Sequence, residues 1–198
     1  MRSGVVAGIL LAAGAGSRYG MAKALIRLDG ELLVDRGVRL LAAGGCDPVI
    51  TVLGAQATQV RAVVGSSGTV VAPDWETGMG ASLRAGLAAM PRHVDACVVA
   101  LADQPLVGAT AVMRLRAAWS AGAAAAVATY DGMARNPVLL DRCVWDGVAA
   151  AAVGDVGARP WLRAHPDLVV SVPCTDTGSP YDIDTPEDLI ALTSKETA

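Results

Sequence analysis

Val5-Val6-Ala7-Gly8-Ile9-Leu10-Leu11-Ala12-Ala13-Gly14-Ala15-Gly16-Ser17-Arg18-Tyr19-Gly20-Met21-Ala22-Lys23 is the stretch on which the reading of the fold turns. Val5 to Leu11 is a continuous β-branched and aliphatic run, the pattern of a strand buried on both faces. The residues from Ala12 to Lys23 are small, glycine-rich and basic. Small residues let a backbone approach a ligand closely, and consecutive amides in a tight loop form a nest for an anion. Arg18 adds a planar fork of donors and Lys23 a compact ammonium. Lys23 and Lys195 are the only lysines in the chain, every other basic side chain except the two histidines being arginine. A lysine inside this loop therefore stands out.

Spacing excludes two familiar phosphate loops. A dinucleotide fingerprint needs Gly-x-Gly-x-x-Gly, and here the third glycine falls one place late, at Gly20. It also needs an acid after the second strand, where this chain reads Gly54-Ala55-Gln56. No Gly-Lys-Ser or Gly-Lys-Thr triplet is present, so the Walker pattern is absent as well.

Outward from this stretch the pattern alternates strand and helix. Strands are predicted at Val49–Leu53, Thr69–Ala72, Ala96–Ala102, Ala124–Thr129, Leu168–Val172 and Tyr181–Asp184. Helices are predicted at Leu32–Ala43, Gln56–Val64, Met79–Met90, Ala109–Ala121 and from Pro186 onward. Met79, Leu83, Leu87 and Met90 share one helical stripe and read as core. Between Thr129 and Leu168 the pattern loosens. Repeated strand–helix units imply an α/β fold, three layers with a mainly parallel central sheet covered on both faces. The alanine richness fits helices lying close to that sheet.

The 198 residues are 53% hydrophobic and 18% charged, which excludes disorder and suits one domain spanning residues 1–198. A formal net charge of −3 gives no electrostatic footprint for nucleic acid. Gly4 to Gly16 has the look of a short signal peptide, but it is shorter than the roughly 20 apolar residues that span a membrane. It reads instead as part of the fold, and the location expected is cytoplasmic. Cys46, Cys97, Cys143 and Cys174 are far apart, with no metal spacing, and read as reduced, individually packed thiols. His93 and His165 read as surface residues without a role.

In open parallel sheets, ligands sit beyond the carboxyl ends of the strands. Leu101-Ala102-Asp103-Gln104-Pro105 puts a carboxylate at the end of a very apolar strand, where only a compensating cation makes it cheap. A hydrated Mg²⁺ is a natural partner, and a helix or turn cap is the plain alternative. Strand alternation sends Asp182 and Asp184 to one face and Ile183 to the other, making the pair a candidate second carboxylate. Thr185, Pro186 and Asp188 read as N-cap, first helical residue and capping-box acid. Asp74-Trp75-Glu76-Thr77-Gly78-Met79-Gly80-Ala81-Ser82 opens a helix after a strand. Its free amides and Ser82 are candidates to hold a base or ribose, and Trp75 to stack or to pack.

Taken together, Leu11 to Lys23, Trp75 to Arg84, Leu101 to Pro105 and Asp182 to Leu189 resemble the MobA/MocA-type nucleotidyltransferases, in family order across nearly the whole chain. Leu11-Ala12-Ala13-Gly14 is similar to the cytidylyl branch, where guanylyl members tend to carry Leu-Ala-Gly-Gly. The resemblance implies a nucleotide-binding half over about residues 1–110 and an acceptor-binding half over about 111–198. It implies that Gly14, Gly16, Arg18 and Lys23 hold the triphosphate, with Leu11 and Ser17 in the same binding loop. Ala12 and Ala13 would lie near the base, and Gly78 and Ser82 would help select the nucleotide. Arg18, Lys23 and Asp103 would be catalytic, and Asp103 and Asp184 would ligate Mg²⁺.

The implied reaction is transfer of CMP from CTP to the terminal phosphate of molybdopterin, or molybdenum cofactor, with release of pyrophosphate. A molybdenum-enzyme apoprotein or chaperone would be a further partner; no nucleic acid or membrane is expected. Guanylyl transfer to the same cofactor, and transfer to a sugar or polyol phosphate, are the alternatives within the class. A silent nucleotide-binding regulator of a molybdenum enzyme is the alternative outside it, and a nicotinamide oxidoreductase is a third. Where the family often shows Gly-His-Pro before a short strand in the acceptor half, this chain reads Arg135-Asn136-Pro137, whereas Gly154-Asp155-Val156-Gly157-Ala158-Arg159 resembles the family's acceptor-side segment.

Overall fold

The computed structural model describes residues 2–195. The loop-bearing strand is β1 (Val5–Ala12), and it lies at the middle of a seven-stranded sheet. On one side it pairs in parallel with β4 (Val49–Leu53), which pairs in parallel with β5 (Thr69–Val71). On the other it pairs in parallel with β6 (Val94–Leu101). Beyond β6 come β8 (Met133–Asp141), β7 (Ala125–Tyr130) and, at the edge, β9 (Val169–Pro173). Strand β8 alone runs against the rest, antiparallel to both β6 and β7. The remaining two strands, β2 (Arg27–Leu28) and β3 (Glu31–Leu32), form a small hairpin closed at Asp29 and Gly30, both at positive φ.

Alternation along the central strands feeds two cores. Val6, Leu10 and Ala12 of β1 join Val98 and Ala100 of β6 under α1 (Leu33–Ala43), α2 (Ala57–Val64) and α4 (Ala109–Ser120). Ala7, Ile9 and Leu11 join Cys97 and Val99 on the other face, under α3 (Met79–Ala88), α5 (Trp145–Ala151) and α6 (Arg159–Ala164). Both faces of the sheet are thus covered, giving the three layers expected. Close approach has a visible cause: a Cβ at Gly37 of α1 would overlap Leu10 side-chain atoms. The last helix, α7 (Pro186–Lys195), closes a third, smaller core in which Ile183 packs with Ile26, Leu28 and Leu33.

Two expectations are corrected. The loosened stretch after Thr129 contains β8, whose Asn136-Pro137 reads as a strand breaker. Pairing steps from Val127↔Val138 to Ala128↔Arg135, so Asn136 and Pro137 fall in a bulge, where a missing ladder donor costs nothing. Conversely, Tyr181–Asp184 alternates like a strand but belongs to no sheet. It is an extended crossing tied to the end of β6 by the Ile183 amide, which donates to the Asp103 carbonyl at 2.8 Å.

The described residues hold no helix long and apolar enough to cross a membrane. Cys46, Cys97 and Cys174 are buried free thiols, and burial pushes Cys46 up to about 12. Cys143 departs from the expectation of packed thiols and is exposed.

Candidate active site

At the carboxyl ends of β1 and β6 the sheet opens into a cleft of about 330 Å³. Leu11, Ala12, Ala13 and Gly14 form one wall, Leu101, Ala102 and Asp103 another, and Gly78, Met79 and Ser82 the base of a third. The loop after β1 is drawn tight by Tyr19 and Gly20 amides, both donating to the Gly16 carbonyl at 2.8 Å. Gly16 holds φ 57°, and a Cβ there would overlap the Met21 carbonyl, so the turn demands glycine. The loop ends with the Lys23 amide donating to the Gly14 carbonyl at 3.3 Å, which starts the lysine side chain back toward the cleft.

The Lys23 ammonium is the electrostatic centre. Its Nζ donates to Asp103 Oδ2 at 2.6 Å and to Asp184 Oδ1 at 2.5 Å. The side chains of Lys23 and Asp103 are 16% and 21% exposed, Asp184 46%. Burial alone would lower the Lys23 pKa, but the charges and hydrogen bonds of Asp103 and Asp184 outweigh it and hold the group above its ordinary value. Asp103 thus faces a cation, as its place after an apolar strand requires, and that cation is the Lys23 ammonium. Arg18 is more peripheral than expected, 73% exposed with its guanidinium 3.8 Å from Asp184. Gly16, Ser17, Arg18 and Asp184 are not part of the cleft lining, while Leu11, Ala12, Ala13, Gly14, Lys23, Gly78, Ser82 and Asp103 are.

Asp184 is brought in by side-chain bonds rather than by a sheet. Gln104, buried, donates from Nε2 to Asp182 Oδ1 at 2.9 Å and to the Pro180 carbonyl at 3.3 Å. Lost hydration pushes the Asp182 carboxyl up; the charges of Asp103 and Asp184 add to that, against the Gln104 bond. On the far side, Asp188 Oδ2 accepts from the Asp184 and Thr185 amides at 2.9 and 2.8 Å, and Thr185 Oγ1 accepts from the Asp188 amide at 3.2 Å. This is the capping box read in the sequence. Tyr181, which donates to Asp188 Oδ1 at 2.8 Å, and these amides lower the Asp188 carboxyl to about 2.

The opening of α3 differs from expectation. The Met79 amide donates to Asp155 Oδ1 at 3.3 Å and the Gly80 amide to the Gly154 carbonyl at 2.9 Å, so neither is free for a ligand. Gly78, at φ 114°, and Gly80 have no space for a Cβ because the backbone of residues 152–155 lies against them. Asp155 and Glu76 therefore line the cleft, as does Met79, read as core in the sequence. Asp155 was signalled only by its glycine-flanked segment, far away in the chain. Trp75 lines the cleft while packing over Gly54, where a Cβ would meet the indole at 2.6 Å. His93 is exposed and His165 stacks on Trp161, both outside the cleft lining. A second cavity of about 210 Å³, between α1 and the start of α4, has no carboxylate in its lining.

Among the described residues, no group of three or more His, Cys, Asp or Glu is arranged to hold a metal. Two carboxylates converging on one cationic centre do fit Mg²⁺, which uses one or two carboxylates and takes its other ligands from phosphate and water.

The profile of the MobA-like NTP transferase domain matches residues 8–169. The chain belongs to this family. As a MobA-like nucleotidyltransferase it is 39% identical over 198 residues to nicotine blue oxidoreductase of Paenarthrobacter nicotinovorans, covering 94% of this chain and 96% of that protein. It is 38% identical over 128 residues to a probable molybdenum cofactor guanylyltransferase of Opitutus terrae, covering 64% of this chain and 62% of the relative. The crystal structure of Rv0371c from Mycobacterium tuberculosis H37Rv superposes with a TM-score of 0.83 at 26% identity, over 98% of this chain and 100% of that one. A complex of Rv0371c with manganese superposes at 0.80 and 26% identity, over 96% and 98% of the two chains.

Proposed function

We propose that this MobA-like protein transfers CMP from CTP to the terminal phosphate of molybdopterin or its molybdenum form, releasing pyrophosphate in a Mg²⁺-dependent reaction. The observation that carries this reading is the convergence of Asp103, Asp184 and Lys23 at the mouth of a cleft walled by the glycine loop. The Rv0371c complex with manganese supports a divalent cation, and the Opitutus terrae relative's name supports a molybdenum cofactor acceptor. Leu11-Ala12-Ala13-Gly14 supports CTP over GTP through its resemblance to the cytidylyl branch.

In this reaction an oxygen of the acceptor phosphate attacks the α-phosphorus of the nucleotide. The bond from the α-phosphorus to the bridging oxygen breaks, and pyrophosphate leaves with the electron pair. Catalysis then rests on positioning and charge neutralisation, with no protein nucleophile. When bound, Mg²⁺ on Asp103 and Asp184 neutralises phosphate charge. The amides of residues 14–17 cradle the triphosphate, and Lys23 and Arg18 stabilise charge on the departing pyrophosphate. Ala12 and Ala13 bring backbone to the base, and Gly78 and Ser82 narrow the cleft beside it. Four unpaired cysteines support a reducing, cytoplasmic setting.

Pyrophosphate release measured with each of the four ribonucleotides, with and without molybdenum cofactor, tests the proposal. It requires release with CTP, Mg²⁺ and cofactor together; release with GTP in place of CTP reassigns the base, and silence in every well rejects the reaction. A second reading, a nicotinamide oxidoreductase, is favoured by the 39% identity with nicotine blue oxidoreductase. Ligand at about 100 times its dissociation constant stabilises a protein by about 2.7 kcal/mol. Thermal stabilisation by NAD(H) and none by CTP with Mg²⁺ would select that reading.

A further inference from the structure

We infer that Lys23 is the cation that holds Asp103 and Asp184 together before nucleotide arrives, so that the cleft binds a divalent metal weakly alone and more tightly in company with a triphosphate. The inference rests on the nucleotidyl-transfer reading and deepens it: metal and triphosphate bind that site cooperatively, with Lys23 as the link between them.

The observations are geometric. One ammonium spans both carboxylates, using two of its three N–H donors on Asp103 Oδ2 and Asp184 Oδ1 at 2.6 and 2.5 Å. A divalent ion held by the same two carboxylates would compete with the ammonium for them. The two like charges repel there, because the ammonium would stand against the metal in a partly dehydrated site. Arg18 offers no substitute for Lys23, since its guanidinium is exposed and 3.8 Å from Asp184 alone. The lysine therefore competes with an entering metal, and a neighbouring anion offers it an alternative partner. The structure provides the route. The stem of Lys23 runs beside the glycine loop, with Cδ 3.8 Å from a Cβ built at Gly14 and Cγ 3.4 Å from one built at Gly16. Rotation about this flexible stem moves the ammonium from the carboxylates to a triphosphate lying on the loop. The negative charge of the triphosphate then draws the lysine away at the moment the carboxylates are needed for metal.

Calorimetric titration of Mn²⁺ into the full chain tests this, without nucleotide and with the α,β-methylene analogue of CTP, which binds without reacting. The comparison is among the unaltered protein, Lys23→Met, which keeps the stem and loses the charge, and Lys23→Arg, which keeps a charge. Thermal melting checks that each is folded. The unaltered protein and Lys23→Arg should bind Mn²⁺ weakly alone, and the analogue should tighten Mn²⁺ by about tenfold or more, a factor corresponding to about 1.4 kcal/mol. Lys23→Met should bind Mn²⁺ alone about tenfold more tightly than the unaltered protein, as removal of one adjacent like charge requires. Equal Mn²⁺ affinity of unaltered protein and Lys23→Met, with the metal–analogue complex still bound, overturns the inference and leaves nucleotidyl transfer standing. The inference falls in the same way if the unaltered protein binds Mn²⁺ as tightly without the analogue as with it. Failure of the metal–analogue complex to bind overturns both.

Discussion

Asp103 stands at the end of β6, a strand hydrogen-bonded on both sides, whereas Asp184 stands on a segment that belongs to no sheet. Both reach the same ammonium. Asp103 is placed by the central strand pairing, which cannot shift without moving the core. Asp184 is placed by local contacts of an irregular segment: the buried Ile183 and its amide bond to the Asp103 carbonyl, Gln104 to Asp182 on one side and the Thr185–Asp188 box on the other. The difference teaches that one carboxylate is fixed by strand pairing and the other by the local contacts of an irregular segment.

The largest expected effect comes from the strand-held carboxylate. Asp103→Ala should lower turnover by about 10²–10³-fold, the scale of losing one preorganised charge-stabilising group, with thermal stability nearly unchanged. Asp184→Asn should cost less, about tenfold to a hundredfold, because this group is more exposed and its segment can readjust. Equal losses in the two variants would break the distinction between the strand-held and the locally held carboxylate.

Gln104→Ala should come next. It frees Asp182 and the Pro180 carbonyl, so KM for the metal–nucleotide should rise by about tenfold, the equivalent of about 1.4 kcal/mol. Limited proteolysis should cut residues 178–185 faster than in the unaltered protein. An unchanged KM and cleavage pattern would mean that the Ile183–Asp103 backbone bond holds the segment by itself.

The smallest effect concerns the cap. Asp188 has its carboxyl lowered to about 2, so its contribution to stability is present above its ordinary value near 4 and is lost as pH falls from there to about 2. Asp188→Ala should therefore lower the melting temperature by a few degrees at neutral pH, and the gap should close in acid titrations below about pH 2. A gap that persists there would assign the loss to packing rather than to the charged cap.

The same contrast governs what was legible in the sequence. The apolar runs of β1 and β6, the glycine loop and the carboxylate after Ala102 announce themselves because local pattern and final environment agree. The helices α1 to α4 are legible for the same reason. The residue pattern alone does not show the antiparallel strand β8; the resemblance places only a short strand after Pro137, and the bulge against β7 lets Asn136-Pro137 sit within the longer strand. Tyr181–Asp184 showed the period of a strand, but alternation alone says nothing about whether a neighbouring strand exists to pair with it. Asp155 was hidden differently, since its place in the cleft depends on backbone contact between residues 152–155 and Gly78 and Gly80. No local pattern encodes that meeting.

The central claim is that the glycine loop and the carboxylates of Asp103 and Asp184 enclose one metal–triphosphate. A crystal structure with Mn²⁺ and the α,β-methylene analogue of CTP tests it most directly. The account predicts an anomalous manganese peak at about 2.1 Å from an oxygen of each carboxylate, the phosphates on residues 14–17, and Lys23 turned to the phosphates. Nucleotide bound outside this cleft, or manganese away from both aspartates, would contradict it.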